Sequence, residues 1–154
     1  MAGWYNSIVK DISTLPEIIE HFETELVIAR EEDLAMKGRQ IERIAADIPS
    51  IVEHRYGQLQ EIEAILEFLN IEMRKIRSKV FRRYLENYQR ALSSRDVEKY
   101  VDGDDEVVDM AVLINQFSLL RNQWLGLVKG IDQKSFSVNN IVRLRVAGLD
   151  DSTL

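Results

Sequence analysis

A cluster of positively charged side chains is the part of the sequence best suited to chemistry, and that chemistry is the binding of phosphate groups. Between Arg74 and Arg95 the chain carries eight lysines or arginines and one acidic residue, Glu86, a net charge of +7. Because the whole chain carries −6, the remaining residues carry −13. Charge therefore has to be judged segment by segment, since the average alone would argue against a polyanionic partner.

Helical spacing gathers most of these cations on one face. At 100° per residue, Lys75, Lys79, Arg82, Arg83 and Arg90 fall within about 100° of one another, and aromatic residues lie along one flank of this face. Unpaired bases stack on aromatic rings while phosphates contact Lys and Arg, so this composition is typical of single-stranded nucleic-acid binding. The predicted interface consists of Arg74, Lys75, Arg77, Lys79, Arg82, Arg83, Tyr84, Tyr88 and Arg90.

The alternative interpretation is a solvated basic helix face whose tyrosines belong to the core. The loss of acidic residues in this one segment, against their abundance elsewhere, favours nucleic-acid contact. Recognition of duplex DNA is not indicated, because the sequence shows no helix-turn-helix or zinc-finger pattern.

A short helical stretch is predicted from Gln40 to Pro49, and the long helix that positions these cations is predicted after it, over about residues 50–90. Its apolar residues alternate three- and four-residue steps, which is the spacing of a coiled-coil seam. Ile65 and Phe68 widen this stripe, so the helix is expected to pack against more than one neighbour, in a bundle or an oligomer. The seam residues are Leu59, Ile62, Leu66, Leu69, Met73, Ile76 and Val80.

The flanking segments also show helical patterns. Thr14, Pro16 and Glu17 form a capping-box sequence, which predicts a helix that starts near residue 15 and breaks near Gly38. Acidic residues after Gly103 predict a helix over about 104–131, which can pair with the long helix as an antiparallel hairpin. A short C-terminal helix is predicted over about 135–147. The residues of these two helices that are predicted to contact other helices or other subunits are Phe117, Trp124, Phe136, Ile141 and Leu144.

Together these patterns predict an all-α fold: an elongated, oligomeric helical bundle with a long coiled-coil-like hairpin and a short C-terminal helix. No alternating strand pattern occurs. The expected organisation is an N-terminal helical arm over residues 1–37, a helical domain over 38–148 and a tail over 149–154. The N-terminus shows no secretory signal and no apolar run is long enough to span a membrane, so a cytoplasmic location is expected.

Catalytic and metal-binding patterns are scarce. The chain has 154 residues with no cysteine and two histidines, and no phosphate-binding glycine loop or serine-hydrolase motif occurs. We therefore expect a protein that is not an enzyme and needs no cofactor. Glu17, His21 and Glu25 share a helix face, but a charged solvent face explains them better than a metal site.

Two further motifs have structural explanations. Asp102, Asp104 and Glu106 resemble the start of a calcium loop, but Val107 stands where that loop needs glycine, so helix capping is expected instead. A Gly126 and Gly130 pair fits either close packing of another helix in an oligomer or helix termination.

An ordered series of elements in the second half of the chain resembles a known family. It begins with Ile48-Pro49-Ser50-Ile51 before His54-Arg55-Tyr56, continues through the basic helix, and passes Arg95-Asp96 to reach Tyr100-Val101-Asp102-Gly103-Asp104. It closes with Ser135-Phe136-Ser137-Val138-Asn139-Asn140-Ile141, Leu144-Arg145 and Ala147-Gly148. This pattern over residues 40–148 is similar to the UvsY-type recombination mediators of T-even-like phages. The chain departs from it in its longer N-terminal region and at Val146, where the family usually has an aromatic residue.

The resemblance implies a ring-like homo-oligomer in the host cytoplasm that binds single-stranded DNA. It further implies contacts with a single-strand-binding protein and a RecA-like recombinase, whose loading the protein would assist. Lys79, Arg82 and Arg83 lie nearest the family's DNA-contact segment. The main alternative is a helical structural protein, such as a virion-assembly or scaffolding component, that uses its basic helix to contact another protein.

Overall fold

The structure, a computed structural model, describes residues 3–87 and 92–149, and within these ranges it contains helices and turns but no strand. The all-α fold class is therefore confirmed, while the coiled coil and the oligomer stay predictions. None of the helices in the described ranges has an apolar stretch long enough to cross a membrane. The helices are α1 (Trp4–Lys10), α2 (Leu15–Glu32), α3 (Ile41–Asn87), α4 (Ser94–Asp102) and α5 (Asp105–Val146), with a turn of 3-10 helix at Ile12–Thr14.

The chain divides into two compact units. Unit 1 comprises Met1–Leu15 and Glu61–Leu120, and unit 2 comprises Pro16–Gln60 and Arg121–Leu154. Two of the boundaries lie inside α3 and α5, so each of these helices contributes residues to both units. The three boundaries lie at residues 15/16, 60/61 and 120/121, and the predicted division between residues 37 and 38 stays a prediction.

The long helix α3 begins at Ile41, earlier than its predicted start near residue 50, and Pro49 lies inside it. A proline within a helix removes one backbone hydrogen bond and crowds the carbonyl four residues earlier, at a cost of about 3 kcal/mol. Ile44 and Ile48 before the proline form a buried cluster with Val138, and Val52 after it packs against the same cluster. These apolar contacts on both sides of Pro49 explain why the helix continues through it.

The last helix, α5, runs without interruption to Val146, so the prediction of a separate short helix over 135–147 was wrong. Lys134 and Val138 are buried on the same side of this segment. Phe136 lies about 200° around the helix from Lys134 and is 63% exposed, and Leu144 is 43% exposed. Neither of these predicted packing residues belongs to the described core, and Ile141 is half-buried.

Unit 1 contains a cluster of four buried valines, Val80, Val97, Val101 and Val107, from α3, α4 and α5. Of the predicted seam, the buried Leu59 belongs to unit 2, while Ile62, Leu69 and Val80 are buried in unit 1 and Leu66, Met73 and Ile76 are half-buried there. The predicted packing residue Phe117 is also buried in this unit.

Helix α4 was not predicted. Its N-terminus is capped by Ser93, whose hydroxyl accepts the Asp96 N–H at 3.3 Å and donates to Asp96 Oδ2 at 2.6 Å. This reciprocal pair satisfies a backbone donor of the first turn, and Val97 and Val101 then bury one side of a single short helix.

Unit 2 is organised around Trp124, which is fully buried. Its indole Nε1–H donates to the Phe22 carbonyl at 3.3 Å, and the two rings meet edge to face with centroids 5.9 Å apart. Edge-to-face packing is a favourable arrangement of aromatic rings, and the hydrogen bond satisfies the buried indole. These contacts join α2 to α5.

The start of α2 differs in detail from the prediction. The helix begins at Leu15, as predicted, but the capping box does not form. The Thr14 hydroxyl donates to the Asp11 carbonyl at 2.8 Å, and the Asp11 side chain accepts the Ser13 N–H at 2.9 Å. The helix ends at Glu32, and the predicted break at Gly38, where φ is +76°, falls in the turn before α3.

Gly126 and Gly130 lie inside α5, so the helix does not end at either of them. A methyl group added at Gly130 would lie 3.1 Å from the Leu34 Cδ2 atom, whereas one added at Gly126 would meet no atom within 4 Å. Gly130 therefore leaves space for the side chain of Leu34, which belongs to the same unit.

Candidate nucleic-acid interface

One exposed face of α3 gathers four of the predicted cations. Its residues follow helical spacing and line a shallow depression of about 760 Å³. This side of the helix is roughly opposite the apolar seam, which turns the cations away from the core. We call this set the cationic face: Ile71, Arg74, Lys75, Ser78, Lys79 and Arg82.

The ion pairs on the cationic face are exposed or long. Arg74 contacts Glu67 at 3.2 Å with both side chains about two-thirds exposed, and the Lys79 Nζ atom lies 3.5 Å from Glu106. Lys75 forms a shorter contact of 2.6 Å with Glu72. Such pairs contribute little to stability because water and salt screen them. A phosphate group can therefore replace these carboxylates at small cost.

Arg82 differs from its neighbours because it forms no ion pair with any residue in the described ranges. Its side chain is exposed and lies on the cationic face. Within the described residues, Arg82 can therefore bind an anion without first losing a contact with a carboxylate.

Arg83 and Tyr84, although predicted to contact nucleic acid, bind acidic residues of the same chain. Arg83 Nη2 lies 2.6 Å from Asp104 Oδ2 and Nη1 lies 2.9 Å from Glu106 Oε1. The Tyr84 hydroxyl donates to Asp104 Oδ2 at 3.0 Å, and its ring stacks on Tyr100 with centroids 5.6 Å apart. Both side chains therefore connect α3 to the segment that starts α5.

Asp104 is the centre of this connection. Its carboxylate is buried and also accepts the Glu106 N–H at 3.1 Å, so it caps α5, as the sequence predicted for these acids. Burial alone would raise the pKa of Asp104, but hydrogen bonds from Tyr84, Arg83 and the Glu106 N–H outweigh it and lower the pKa. Asp104 is therefore held as the charged partner of Arg83.

The remaining predicted interface residues divide into two groups. Arg77 is turned toward α4, where its Nη2 atom lies 2.8 Å from Asp102 Oδ1. Tyr88 and Arg90 lie outside the described residues. The structure thus brings Arg74, Lys75, Lys79 and Arg82 together and gives Arg77, Arg83 and Tyr84 partners within unit 1.

Comparison with protein-family models, curated proteins and solved structures gave no match. The similarity to UvsY-type mediators accordingly stays a prediction from the sequence, and the site has to be judged by its own geometry.

Sequence reasoning missed a buried ionic network in unit 2. Arg55 is 7% exposed and contacts Asp33 at 2.6 Å and Glu25 at 2.8 Å, while its Nη1 also donates to Gln58 Oε1 at 2.9 Å. Glu25, one of the acidic residues that share a helix face with His21, thus contacts an arginine. In residues 3–87 and 92–149, no three histidine or acidic side chains are grouped closely enough to hold a metal ion.

The hydrogen bond from Arg55 lowers the pKa of Glu25 more than burial raises it. A signal for this network existed in the sequence. Arg55 stands four residues before the seam residue Leu59, so it occupies a position of the buried stripe. A charged residue at such a position needs a partner in the core, because an unpaired buried charge is costly.

Lys134 is a second buried cation of unit 2. Its Nζ atom donates to the Asp33 carbonyl at 2.6 Å, and the side chain is 5% exposed. Burial lowers the pKa of Lys134, and the positive charge of Arg39 adds to this effect, although Asp33 and Asp47 oppose it. Lys134 lies three residues after the buried Ile131, so helical spacing alone places it on the buried side of α5.

Proposed function

We propose that this protein is a single-stranded DNA-binding recombination mediator. In this role it assists the loading of a RecA-like recombinase onto DNA that a single-strand-binding protein covers. The observation that carries the DNA-binding part is the cationic face of α3. Recombinase loading and the single-strand-binding partner rest on the sequence resemblance alone. The proposal assigns no catalytic step to the chain.

The cationic face suits a flexible single strand better than a rigid duplex. Its four cations follow one side of a helix, a row that phosphates of a flexible strand can track. Arg82 provides a cation that has no carboxylate partner among the described residues. Arg74, Lys75 and Lys79 exchange weak contacts with carboxylates for contacts with phosphates. Contacts of this kind carry no sequence information, so binding is expected to be indifferent to sequence.

One subunit offers only a few phosphate contacts, so a single chain binds weakly. In the proposed homo-oligomer several cationic faces act on one strand, and linkage raises the effective concentration of each further contact. Affinity increases in this way only if one DNA strand can contact several cationic faces at once, which a closed symmetric assembly allows.

The test is fluorescence anisotropy of a labelled oligodeoxythymidylate titrated with the full chain at several salt concentrations. We expect the triple variant Arg74→Glu, Lys75→Glu, Arg82→Glu to lower the affinity for the oligonucleotide at least about tenfold. The slope of log affinity against log salt concentration should become shallower by about 2, because each of the three lost phosphate contacts contributes about 0.7. Helicity should stay unchanged because these side chains are exposed.

The matched control changes the same net charge elsewhere. Arg30, Arg43 and Lys129 are exposed cations outside the cationic face, and they form no ion pair with a residue of the described ranges. Substitution of these three residues by glutamate should change the affinity for the oligonucleotide far less than substitution of the three cationic-face residues. Equal losses in the two triple variants would show that only total charge matters and would reject the site, and no binding by the unaltered protein at low salt would reject the function.

A second candidate function is that of a structural or assembly protein whose basic helix docks on an acidic surface of another subunit. The observation in its favour is an exposed apolar row on α5, formed by Val108, Val112 and Leu119, which are 42%, 50% and 60% exposed. Exposed apolar rows are typical of contact surfaces. Sedimentation velocity measures the state of assembly, and the anisotropy titration measures DNA affinity. High-order assembly together with weak DNA affinity would favour the structural role over the mediator role.

A further inference from the structure

We propose that unit 2 carries a second binding site, independent of the DNA-binding function above, that takes an acidic peptide with an apolar side chain. The site is a pocket of about 370 Å³ between the turn that precedes α3 and the last turns of α5. This volume lies within the range of small-ligand pockets and is large enough for one or two apolar side chains.

The pocket combines an apolar floor with a cationic rim. Ile41, Ile44 and Ile141 form the floor, and Ile44 belongs to the buried cluster with Ile48 and Val138. Lys37, Arg39 and Arg145 form the rim, and no acidic residue is among the described lining. Such a surface is complementary to a ligand with an apolar centre and negative charges around it.

The three rim cations resemble Arg82 in having no ion-pair partner among the described residues. Lys37, Arg39 and Arg145 form no ion pair with a residue that the structure describes, whereas Arg77, Lys79 and Arg83 each contact a carboxylate. Gly38, with φ of +76°, makes the turn that places Lys37 and Arg39 on either side of it, a conformation that other residues rarely adopt. Unpaired cations beside an apolar floor leave a positive potential available to a ligand.

The chemistry of the floor favours a peptide over a nucleic acid. An aliphatic side chain of a peptide can cover the isoleucines of the floor by apolar contact. A sugar-phosphate strand would contact the rim cations and leave this floor uncovered. Carboxylates on the same peptide can then reach the rim, where guanidinium groups of Arg39 and Arg145 bind them with paired hydrogen bonds.

The experiment measures binding of a fluorescein-labelled peptide, Asp-Asp-Leu-Asp-Asp-Leu, to the full chain by anisotropy. Two peptide controls separate the contributions: Asn-Asn-Leu-Asn-Asn-Leu lacks the charges, and Asp-Asp-Ser-Asp-Asp-Ser lacks the apolar groups. We expect both controls to bind at least about tenfold more weakly than the probe. Failure of the probe to bind, or equal binding of the three peptides, would overturn the proposal.

Variants locate the site. The exchange Arg39→Glu with Arg145→Glu should lower affinity for the probe about tenfold or more. Lys129→Glu with Arg143→Glu is the matched control, because it reverses the same number of positive charges, both at exposed positions of α5, and neither residue is among the described lining. Equal effects of these two changes would overturn the assignment to this pocket.

Two other occupants are outcomes of the same experiment. Binding of oligodeoxythymidylate that the Arg39→Glu, Arg145→Glu variant abolishes would identify a nucleic-acid site and overturn the peptide assignment. Probe binding that appears only in an Asp150→Asn, Asp151→Asn variant would identify the chain's own acidic residues as the occupant. Because the DNA-site variant changes only cationic-face residues and the peptide-site variant changes only Arg39 and Arg145, either proposal can fail without the other.

Discussion

The guanidinium of Arg83 lies 2.6 Å from the Oδ2 atom of the buried Asp104 carboxylate, while Arg82, the residue before it, makes no ion pair with any described residue. Two adjacent arginines of one basic segment therefore have different roles. Arg83 connects α3 to the start of α5, and Arg82 remains on the exposed cationic face. Substitution of Arg83 should therefore mainly lower stability, and substitution of Arg82 should mainly weaken DNA binding.

Glutamine substitutions at these two positions provide the comparison. Arg83→Gln removes both carboxylate contacts and should lower the Tm by roughly 4 °C. Arg82→Gln should leave the Tm within about 1 °C and weaken single-strand binding more than Arg83→Gln does. Thermal unfolding followed by circular dichroism and anisotropy with labelled DNA measure the two effects. The reverse ranking in both assays would contradict the division of roles.

Stability should decrease in acid because Glu25 is ionised in the folded state. Its pKa is below the ordinary value of 4.5, chiefly through the hydrogen bond from Arg55. Since the unfolded chain binds the proton first as pH falls, this contribution is complete above pH 4.5 and is lost as the pH passes through the lowered pKa. The urea midpoint should therefore stay constant from about pH 7 to 5 and fall below about pH 4.

Glu25→Gln should reduce the acid-dependent part of this change. Glu23→Gln is the control, because Glu23 is exposed on the same helix and has no described partner. A midpoint that falls equally in both variants would assign the acid sensitivity to other carboxylates. Asp104 and Glu106, whose pKa values are also lowered, are the next candidates.

Removal of Arg55 should be strongly destabilising. Arg55→Ala leaves Asp33 and Glu25 without their cation in a largely buried position, and breaking a buried ion pair by removing one partner costs about 3 kcal/mol or more. Urea unfolding of the variant measures the loss. Arg43→Ala, at an exposed position of the same helix, should change the free energy of unfolding by less than about 0.5 kcal/mol. A loss at Arg55 as small as that at Arg43 would show that the network adds no stability.

The two glycines of α5 should respond differently to alanine. Gly126→Ala meets no atom within 4 Å and should stabilise the protein by about 0.5–1 kcal/mol, since alanine favours the helix. Gly130→Ala places a methyl 3.1 Å from the Leu34 Cδ2 atom, so part of the gain is lost as Leu34 shifts. The measured free energy of unfolding should rank Gly126→Ala above Gly130→Ala. An equal gain would show that Leu34 moves freely.

Periodicity predicted much of the fold. The seam spacing identified a stripe that is buried or half-buried from Leu59 to Val80, because side chains three and four residues apart share one helix face. Helix ends were harder to place. A proline such as Pro49 often ends a helix, and α3 continues because Ile44 and Ile48 pack against Val138, a residue distant in sequence.

The site was predicted only in part, for a similar reason. Composition located the basic segment, but the distinction between Arg82 and Arg83 depends on where Asp104 and Glu106 lie in space. The partners of Arg55, at Asp33 and Glu25, are likewise set by tertiary packing. Sequence periodicity predicts which residues share one face of a helix, but the residues that contact this face are determined by the tertiary fold.

The chain has two tryptophans, and one belongs to each compact unit: Trp4 to unit 1 and the buried Trp124, which donates to the Phe22 carbonyl, to unit 2. Each unit consequently contains its own intrinsic fluorophore. Replacing one tryptophan by phenylalanine leaves an emission spectrum that reports on a single unit, without any attached dye. The cooperativity of unfolding, and the response of each unit to DNA or to an acidic peptide, can thus be followed separately in the same chain.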